Sequence, residues 1–311
     1  MAHVRILMAT WNGARHLDAQ LDSLVAQDHA DWSLWVSDDG STDATRDRLA
    51  AFAAAHPDRK VQMLDGPGRG AAANFLSLIR TAGDGGACLA LSDQDDIWHP
   101  DRLSRALSML GRGAGAGVYS SRTVLIDAAG QPLRESRRHP RGLGFGNALV
   151  QNVMAGNTMV AEPVMARVLG RTAGAALAAR GGAGVAHHDW WIYLLASGMG
   201  ARLIHDDRPS LGYRQHGANA MGASDGLRQV RARLGMIADG RYADWIGGNL
   251  EALEAVSDRL TPQARTLAER FRAWRRGEDS FAALRRAGVR RQGRLGDAVL
   301  VVLAATGRLR A

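Results

Sequence analysis

One cysteine, one lysine and no long hydrophobic run are what this 311-residue chain has in place of the usual markers. A single thiol, Cys88, excludes an internal disulfide framework and any zinc or iron–sulfur site built on several cysteines; it is read as a small core residue. The longest late apolar run, Ala298 to Ala305, is far short of the roughly 20 residues that a spanning helix needs. The amino-terminal MAHVRILMATWNG lacks the charged lead and the cleavage site of a signal peptide, so a soluble or peripheral protein, cytoplasmic or at the inner face of the membrane, is expected. Aromatics are scarce at 5%, but 46% hydrophobic and 23% charged residues are an ordinary globular mix, which excludes long disorder and fibrous architectures. The length suggests about two domains.

The formal charge of +8 is unevenly placed. Residues 1–222 carry 22 basic against 21 acidic side chains, and 223–311 carry 17 against 10. The body is therefore nearly neutral and the tail basic. Because Lys60 is the only lysine, the arginine dominance fits genomic nucleotide bias as well as phosphate recognition.

The first hundred residues alternate two kinds of segment, the pattern of a parallel sheet covered by helices. Val4–Ala9, Trp32–Ser37, Val61–Leu64 and Cys88–Leu91 read as strands. Helical stripes come after them through Leu17, Leu21 and Leu24, then Leu49 and Phe52, then Phe75, Leu78 and Ile79, and lastly Leu103, Leu107 and Leu110. Ser41 or Thr42 is expected to cap the second helix, and Pro100 to sit in the first turn of the fourth. Beyond residue 117 the pattern predicts strands around 118–126 and 153–160, a helix opening near Asp189, and a strand leading into Tyr213-Arg214-Gln215-His216-Gly217. Helical composition dominates from 226 onward.

In open α/β sheets ligands bind beyond the carboxyl ends of the strands, so the polar residues just after each strand carry the argument. Thr10-Trp11-Asn12, Asp38-Asp39 and Asp93-Gln94-Asp95-Asp96 occupy those positions. Three carboxylates within four residues repel one another unless a cation holds them; Mg²⁺ or Mn²⁺ bridging phosphates would do so, and a solvated acidic turn capping the next helix is the plainer alternative. Asp38-Asp39 fits a turn, or a carboxylate that accepts from a base or ribose, while Asp43 reads as a turn and cap residue. Gly66-Pro67-Gly68-Arg69-Gly70 lacks the spacing of a dinucleotide loop and reads as a connection. In His187-His188-Asp189-Trp190-Trp191 an acid stands beside two tryptophans: near an apolar wall it suits a general base acting on a hydroxyl, and a helix-capping Asp with core indoles is the alternative. The paired histidines lack zinc-protease spacing, and His216 reads as a metal or phosphate ligand or as a solvent-facing loop residue.

Together, Thr10-Trp11-Asn12-Gly13, Asp38-Asp39-Gly40-Ser41-Thr42-Asp43, Ser92-Asp93-Gln94-Asp95-Asp96-Ile97-Trp98, His188-Asp189-Trp190-Trp191 and Tyr213-Arg214-Gln215-His216-Gly217 resemble family 2 glycosyltransferases over about 1–222, in order and spacing. The similarity is closest to the bacterial polysaccharide and O-antigen branch often assigned as rhamnosyltransferases. The resemblance implies a GT-A fold, a mainly parallel nucleotide-binding sheet flanked by helices, here with a helical carboxyl-terminal extension. It also implies a nucleotide-diphosphate sugar donor, a divalent metal (Mg²⁺ or Mn²⁺), a glycan or lipid-linked acceptor, and inversion at the anomeric carbon. By the same resemblance Thr10 and Asn12 lie in the first donor-binding loop, Asp39 contacts the nucleobase, Asp93 lies near the ribose and Asp95 on the metal. Asp189 matches the acceptor-side base and His216 a metal or diphosphate contact, with Asp38, Asp96, Trp190 and Arg214 in support. Trp11 departs from the tyrosine of many relatives, and the QxxRW signature of processive synthases is missing, which favours transfer of single sugars.

The implied organisation is a donor half over 1–110, an acceptor half over 111–222 and a basic helical extension over 223–311. In that extension Arg270, Arg272, Arg275, Arg276, Arg285, Arg286, Arg290, Arg291 and Arg294 suit either an anionic membrane surface or a helical face packed on protein. Nucleic acid is disfavoured, since no binding fold and little aromatic interleaving accompany the charge. A sugar nucleotidyltransferase is the second enzymatic reading, disfavoured because no glycine-rich start with a basic residue follows the first strand, and a non-catalytic nucleotide-sugar or membrane-docking module is the non-enzymatic one.

Overall fold

The computed structural model describes residues 2–111, 115–215 and 239–310. Its described part divides into two compact units, one built from 2–138, 154–174 and 204–215, the other from 139–153, 175–203 and 239–310.

The first unit opens with β1 (Val4–Thr10), α1 (Ala14–Val25), β2 (Trp32–Asp38), α2 (Thr45–Ala55), β3 (Val61–Asp65), α3 (Ala71–Ala82), β4 (Cys88–Ser92), β5 (Ile97–Trp98) and α4 (Arg102–Leu110). The expected β–α alternation is present throughout. After it come β6 (Gly117–Ser121), β7 (Val124–Ile126), β8 (Pro132–Glu135), α5 (Phe145–Ala148), β9 (Val160–Ala161), α6 (Pro163–Ala178), α7 (His188–Gly198), β10 (Arg202–Asp206) and β11 (Leu211–Arg214). The remaining helices are α8 (Arg241–Glu254), α9 (Pro262–Arg275), α10 (Phe281–Arg286) and α11 (Arg294–Ala305).

Among the described residues the main sheet runs β10-β6-β9-β4-β1-β2-β3. Its β3-β2-β1-β4 portion is parallel, and β9 lies antiparallel to both β4 and β6. β1 is central and apolar on both faces, with Val4, Ile6, Leu7 and Met8 fully buried, as a strand covered by helices on both sides must be. The register pairs Thr10 with Asp38 and Met8 with Ser92, so the carboxyl ends of β1, β2 and β4 finish nearly level. The turns after these strands therefore share one edge of the sheet.

A second sheet, β5-β11-β7-β8, fixes the far side of the acidic turn. β5 runs antiparallel to β11 with Ile97 opposite Gly212, a register that brings Arg214 back to Asp95 and Asp96. The strand predicted over 118–126 is in fact two, β6 and β7, in different sheets, separated where buried Arg122 turns inward to the Ser136 and Asp207 carbonyls. The strand predicted over 153–160 shrinks to Val160–Ala161 behind a 3₁₀ turn at Gly156–Thr158, because Asn157 is drawn out of extended backbone by its bonds to Asp96 and Arg102. Neither Ser41 nor Thr42 caps α2. That helix starts at Thr45, whose amide and hydroxyl are satisfied by the Asp43 carboxylate, while the Ser41 hydroxyl is spent on Asp38. α4 begins at Arg102, two residues past Pro100.

The second unit is helical, with Trp191, Tyr193, Phe271 and Trp274 among its fully buried side chains. Thr261 caps α9, its hydroxyl accepting from the Ala264 amide, and Pro262 takes the first helical position. Much of the basic tail is occupied with protein. Arg270 pairs with Asp279, Arg276 with Glu278, and Arg285 and Arg141 both with Asp297. Burial pushes the Asp297 carboxyl up, but Arg285, the Arg291 amide and Arg141 outweigh it and hold it far below the usual carboxylate range. Arg272, Arg275 and Arg291 donate to the Leu250, Ala243 and Val150 carbonyls. No helix among the described residues is long and apolar enough to cross a membrane.

Candidate functional site

The turn after β1 is held from two sides. Thr10 is buried and its hydroxyl donates to Asp38 Oδ2 at 2.8 Å, while the Thr10 carbonyl accepts from the Asp39 amide at 2.8 Å. Asn12 adopts φ +47°, the left-handed region that asparagine tolerates better than most residues. From there its amide donates to Ser41 Oγ and its side-chain oxygen accepts from the Thr42 amide, both at 2.8 Å. Trp11, between them, is 62% exposed.

The two neighbouring acids after β2 have different surroundings. Asp38 is buried and accepts from Thr10, the Ser41 hydroxyl at 2.6 Å and the Ser41 amide at 2.9 Å, with the Arg46 guanidinium 3.2 Å away. Burial pushes its carboxyl up, and these hydrogen bonds with the Arg46 charge outweigh that and keep it below its ordinary value. Asp39 is only half-buried, and its two oxygens accept from the Gly68 and Gly70 amides at 2.7 Å each. Gly66 makes that approach possible: a Cβ there would lie 2.7 Å from Asp39 Oδ1. The glycine-rich connection thus folds its amides around a carboxylate of its own chain.

The acidic turn after β4 separates its members in the same way. Asp93 and Asp95 are half-buried; Asp96 is fully buried, accepting from Asn157 Nδ2 at 2.5 Å and the Arg214 amide at 3.3 Å. Burial, with the Asp95 charge, pushes Asp96 up to about 7. Arg214 fastens the turn from behind, with Nε on the Asp95 carbonyl at 2.8 Å and Nη1 on the Asp127 and Ala128 carbonyls. Arg102, also fully buried, lies with its guanidinium carbon 3.4 Å from the centre of the Trp98 ring and donates to the Leu91 and Asn157 carbonyls. Burial lowers it to about 9, which leaves it positive at neutral pH behind the acids.

In the second unit, α7 opens at His188 and carries Asp189 in its first turn, where the helix dipole favours negative charge. Asp189 Oδ1 accepts from the Trp190 amide at 2.8 Å. Trp190 is buried, donates from Nε1 to the Ala148 carbonyl at 2.6 Å and stacks on Tyr242; Trp191 beside it is fully buried. Burial lowers His187 and takes His188 to about 4, which disfavours the protonated form of both imidazoles.

A family model, glycosyl transferase family 2, matches residues 5–166, just over half of the chain and the stretch that holds all three strand-end turns. The chain belongs to glycosyl transferase family 2. Among its relatives is the dTDP-rhamnosyl transferase RfbG of Shigella flexneri, 28% identical over 256 residues, which are 76% of this chain and 80% of that one. Another is the Escherichia coli UDP-Glc:α-D-GlcNAc-diphosphoundecaprenol β-1,3-glucosyltransferase WfgD, 28% identical over 123 residues, 39% of this chain and 46% of the relative. Among solved structures, S. aureus TarS 1-349 in complex with UDP-GlcNAc aligns at TM-score 0.55 and 12% identity, covering 87% of each chain. Mannosyltransferase PcManGT from Pyrobaculum calidifontis, in complex with GDP-Man and Mn²⁺, aligns at TM-score 0.51 and 18% identity, covering 99% of this chain and 87% of the other. The fold is GT-A, and the protein is a glycosyltransferase.

For this family 2 member, the first unit gathers Thr10, Asn12, Asp38, Asp39, Asp93, Asp95, Asp96 and Arg214; Asp189 and Trp190 lie in the second, and His216 falls outside the described residues. Among the described residues no group of three or more His, Cys, Asp or Glu side chains could hold a metal ion. Asp93 and Asp95 do supply hard carboxylate oxygens at a strand end, and Mg²⁺-type sites ordinarily use one or two carboxylates and take the rest of their shell from substrate phosphates and water. The residues present fit a cation that binds with a diphosphate. Arg102 and Asn157 are parts of this site that sequence reading missed, and Gln94 stood inside the acidic motif without a role of its own. An arginine on the apolar face shared with Leu103, Ala106 and Leu110 was the available signal for Arg102; nothing local marks Asn157.

Proposed function

We propose that the protein is a metal-dependent, inverting glycosyltransferase that moves a sugar from a nucleotide-diphosphate donor to a hydroxyl of a growing cell-surface glycan or lipid-linked acceptor. The observation that carries this reading is the level ending of β1, β2 and β4, which gathers Asp39, Asp93 and Asp95 at one sheet edge. The similarity to RfbG supports dTDP-rhamnose as the first donor to test and UDP-hexoses as the second; the name of WfgD supports a diphosphate-lipid acceptor.

In this reading residues 1–110 hold the donor, 111–222 receive the acceptor and 223–311 form the extension. Asp39 accepts from the nucleobase, Asp93 from the ribose, and Asp95 holds Mg²⁺ or Mn²⁺. The cation supplies positive charge to the departing diphosphate when bound. Asp189 takes the proton of the acceptor hydroxyl as that oxygen attacks the sugar from the face opposite the diphosphate, which inverts the anomeric centre without a covalent enzyme intermediate. Thr10 and Asn12 brace the donor loop, Arg214 the acidic turn, and His216 is assigned to the metal or diphosphate on its motif alone. Calorimetric titration with UDP-, GDP- and dTDP-sugars, with and without Mg²⁺ or Mn²⁺, is expected to give metal-strengthened binding of one class. Binding of none of them would overturn the assignment.

We further propose that the protein is cytoplasmic and meets the inner membrane face peripherally through α11. That helix exposes Leu295 (80%), Val302 (59%) and Val301 (43%), and Arg286, Arg294 and Arg308 nearby in sequence are exposed as well. Near an anionic surface each arginine contributes about 1 kcal/mol, or about fivefold in affinity. Removing Arg286 and Arg294 together is expected to weaken co-sedimentation with phosphatidylglycerol vesicles about 25-fold. Unchanged sedimentation would return α11 to an ordinary solvated helix.

A further inference from the structure

Gln94 is the uncharged member of the acidic turn, and its carboxamide is committed elsewhere. The Trp11 amide donates to its Oε1 at 2.9 Å, and its Nε2 donates to the Trp11 carbonyl at 3.0 Å. One side chain from the turn after β4 thus satisfies both backbone groups of the residue at the tip of the turn after β1, 83 positions away in the chain. The carboxamide also lies over Gly13, where a Cβ would be 2.2 Å from Oε1 and 2.3 Å from Cδ. On its opposite side the same loop is held through Asn12 by Ser41 and Thr42. Without Gln94 it would be fastened on one side only.

We propose that Gln94 is a positioning residue for the nucleotide: placed between the two carboxylates assigned to ribose and metal, it acts on neither and instead fixes the donor loop through the Trp11 peptide. Fixing the loop in advance removes an ordering cost that the nucleotide would otherwise meet on binding. The inference rests on the donor-site reading above, and the two fail separately. An effect through the loop is independent of metal, whereas an effect through the carboxylates is not.

The test is calorimetric binding of UDP, GDP and dTDP to the full chain, in Mn²⁺ and in EDTA, using whichever nucleotide the unmodified protein binds most tightly. Gln94→Ala loses both hydrogen bonds, and Gln94→Glu cannot donate to the Trp11 carbonyl. Gln94→Ala is expected to weaken nucleotide binding about tenfold, by the same factor in both conditions and with the ligand-free melting temperature lowered by no more than a few degrees; Gln94→Glu, which adds a charge between Asp93 and Asp95, is compared in EDTA alone and is expected to weaken binding there at least as much. Gly13→Ala, which pushes the carboxamide off the loop, is expected to weaken binding alike, and the Gly13→Ala, Gln94→Ala pair to be no weaker than either alone. Unweakened binding, weakening confined to Mn²⁺, or additive losses in the pair would each overturn the role of Gln94 while leaving the donor site intact. Failure of the unmodified protein to bind any of the three nucleotides would overturn the donor-site reading and this inference with it.

Discussion

Asp95→Ala is expected to give a folded protein whose transfer rate is lower by about a thousandfold, the equivalent of about 4 kcal/mol of lost stabilisation of the leaving diphosphate. The side chain is half-buried, whereas the backbone of its turn is secured independently by Arg214 Nε on the Asp95 carbonyl, a bond that alanine retains. Stability should therefore change little. Asp96→Ala, one residue on, is expected to do the reverse. It removes the acceptor of Asn157 Nδ2 and of the Arg214 amide in a fully buried place, with the Arg102 charge nearby, and leaving buried donors unsatisfied costs about 1–3 kcal/mol each. Melting temperatures together with single-turnover rates at saturating Mn²⁺ separate the two. A stability loss in Asp95→Ala as large as that of Asp96→Ala, or an undiminished rate, would remove Asp95 from the metal.

That contrast also shows how far the sequence could be read. The four opening β–α units and the polar turns at their strand ends are legible because strand and helix periodicities are local, and because a strand covered on both faces is apolar through its middle, as β1 is from Ile6 to Met8. What distinguishes Asp38 from Asp39, or Asp95 from Asp96, is not local. Asp38 becomes an internal acceptor because Thr10 lies opposite it in register, and Asp96 because Asn157 arrives from 61 positions away. The same distant bonds explain the strand predicted over 153–160: apolar residues there satisfy the strand pattern, but Asn157 serves Asp96 with its side chain and Arg102 with its carbonyl, and the backbone turns to do so. Polar partners of this kind leave no periodic trace. The glycine-rich 66–70 stretch is the intermediate case, because its glycines are visible but the carboxylate they enclose belongs to another turn.

The arginine-rich extension shows the opposite limit. Charge counted along the chain makes 223–311 a single basic surface, yet arginines on α9, α10 and the segment before α11 are consumed by Asp279, Glu278 and Asp297 or by backbone carbonyls. Net charge reports the excess of cations over anions, and only packing reports which of them face solvent. Among the described residues, Arg286, Arg294 and Arg308 are exposed near the exposed apolar side chains of α11, and the proposed contact with an anionic surface rests on them.

Asp189→Asn is expected to bind the donor as the unmodified protein does and to transfer about a hundredfold to ten-thousandfold more slowly, the usual contribution of a positioned general base. The substitution is nearly isosteric, and its side-chain oxygen can still accept from the Trp190 amide, so the first turn of α7 has no reason to reorganise. Trp190 stays fixed independently by its Nε1 bond to the Ala148 carbonyl and by stacking on Tyr242. What the amide loses is the capacity to take a proton. His187 and His188 do not readily replace it, since burial lowers both and disfavours the protonated imidazole that proton abstraction would leave. Donor affinity by calorimetry and acceptor turnover by product release, measured on the same preparation, decide the matter: an unaltered turnover would remove Asp189 as the base, and an equal loss of donor affinity would make it a binding residue instead.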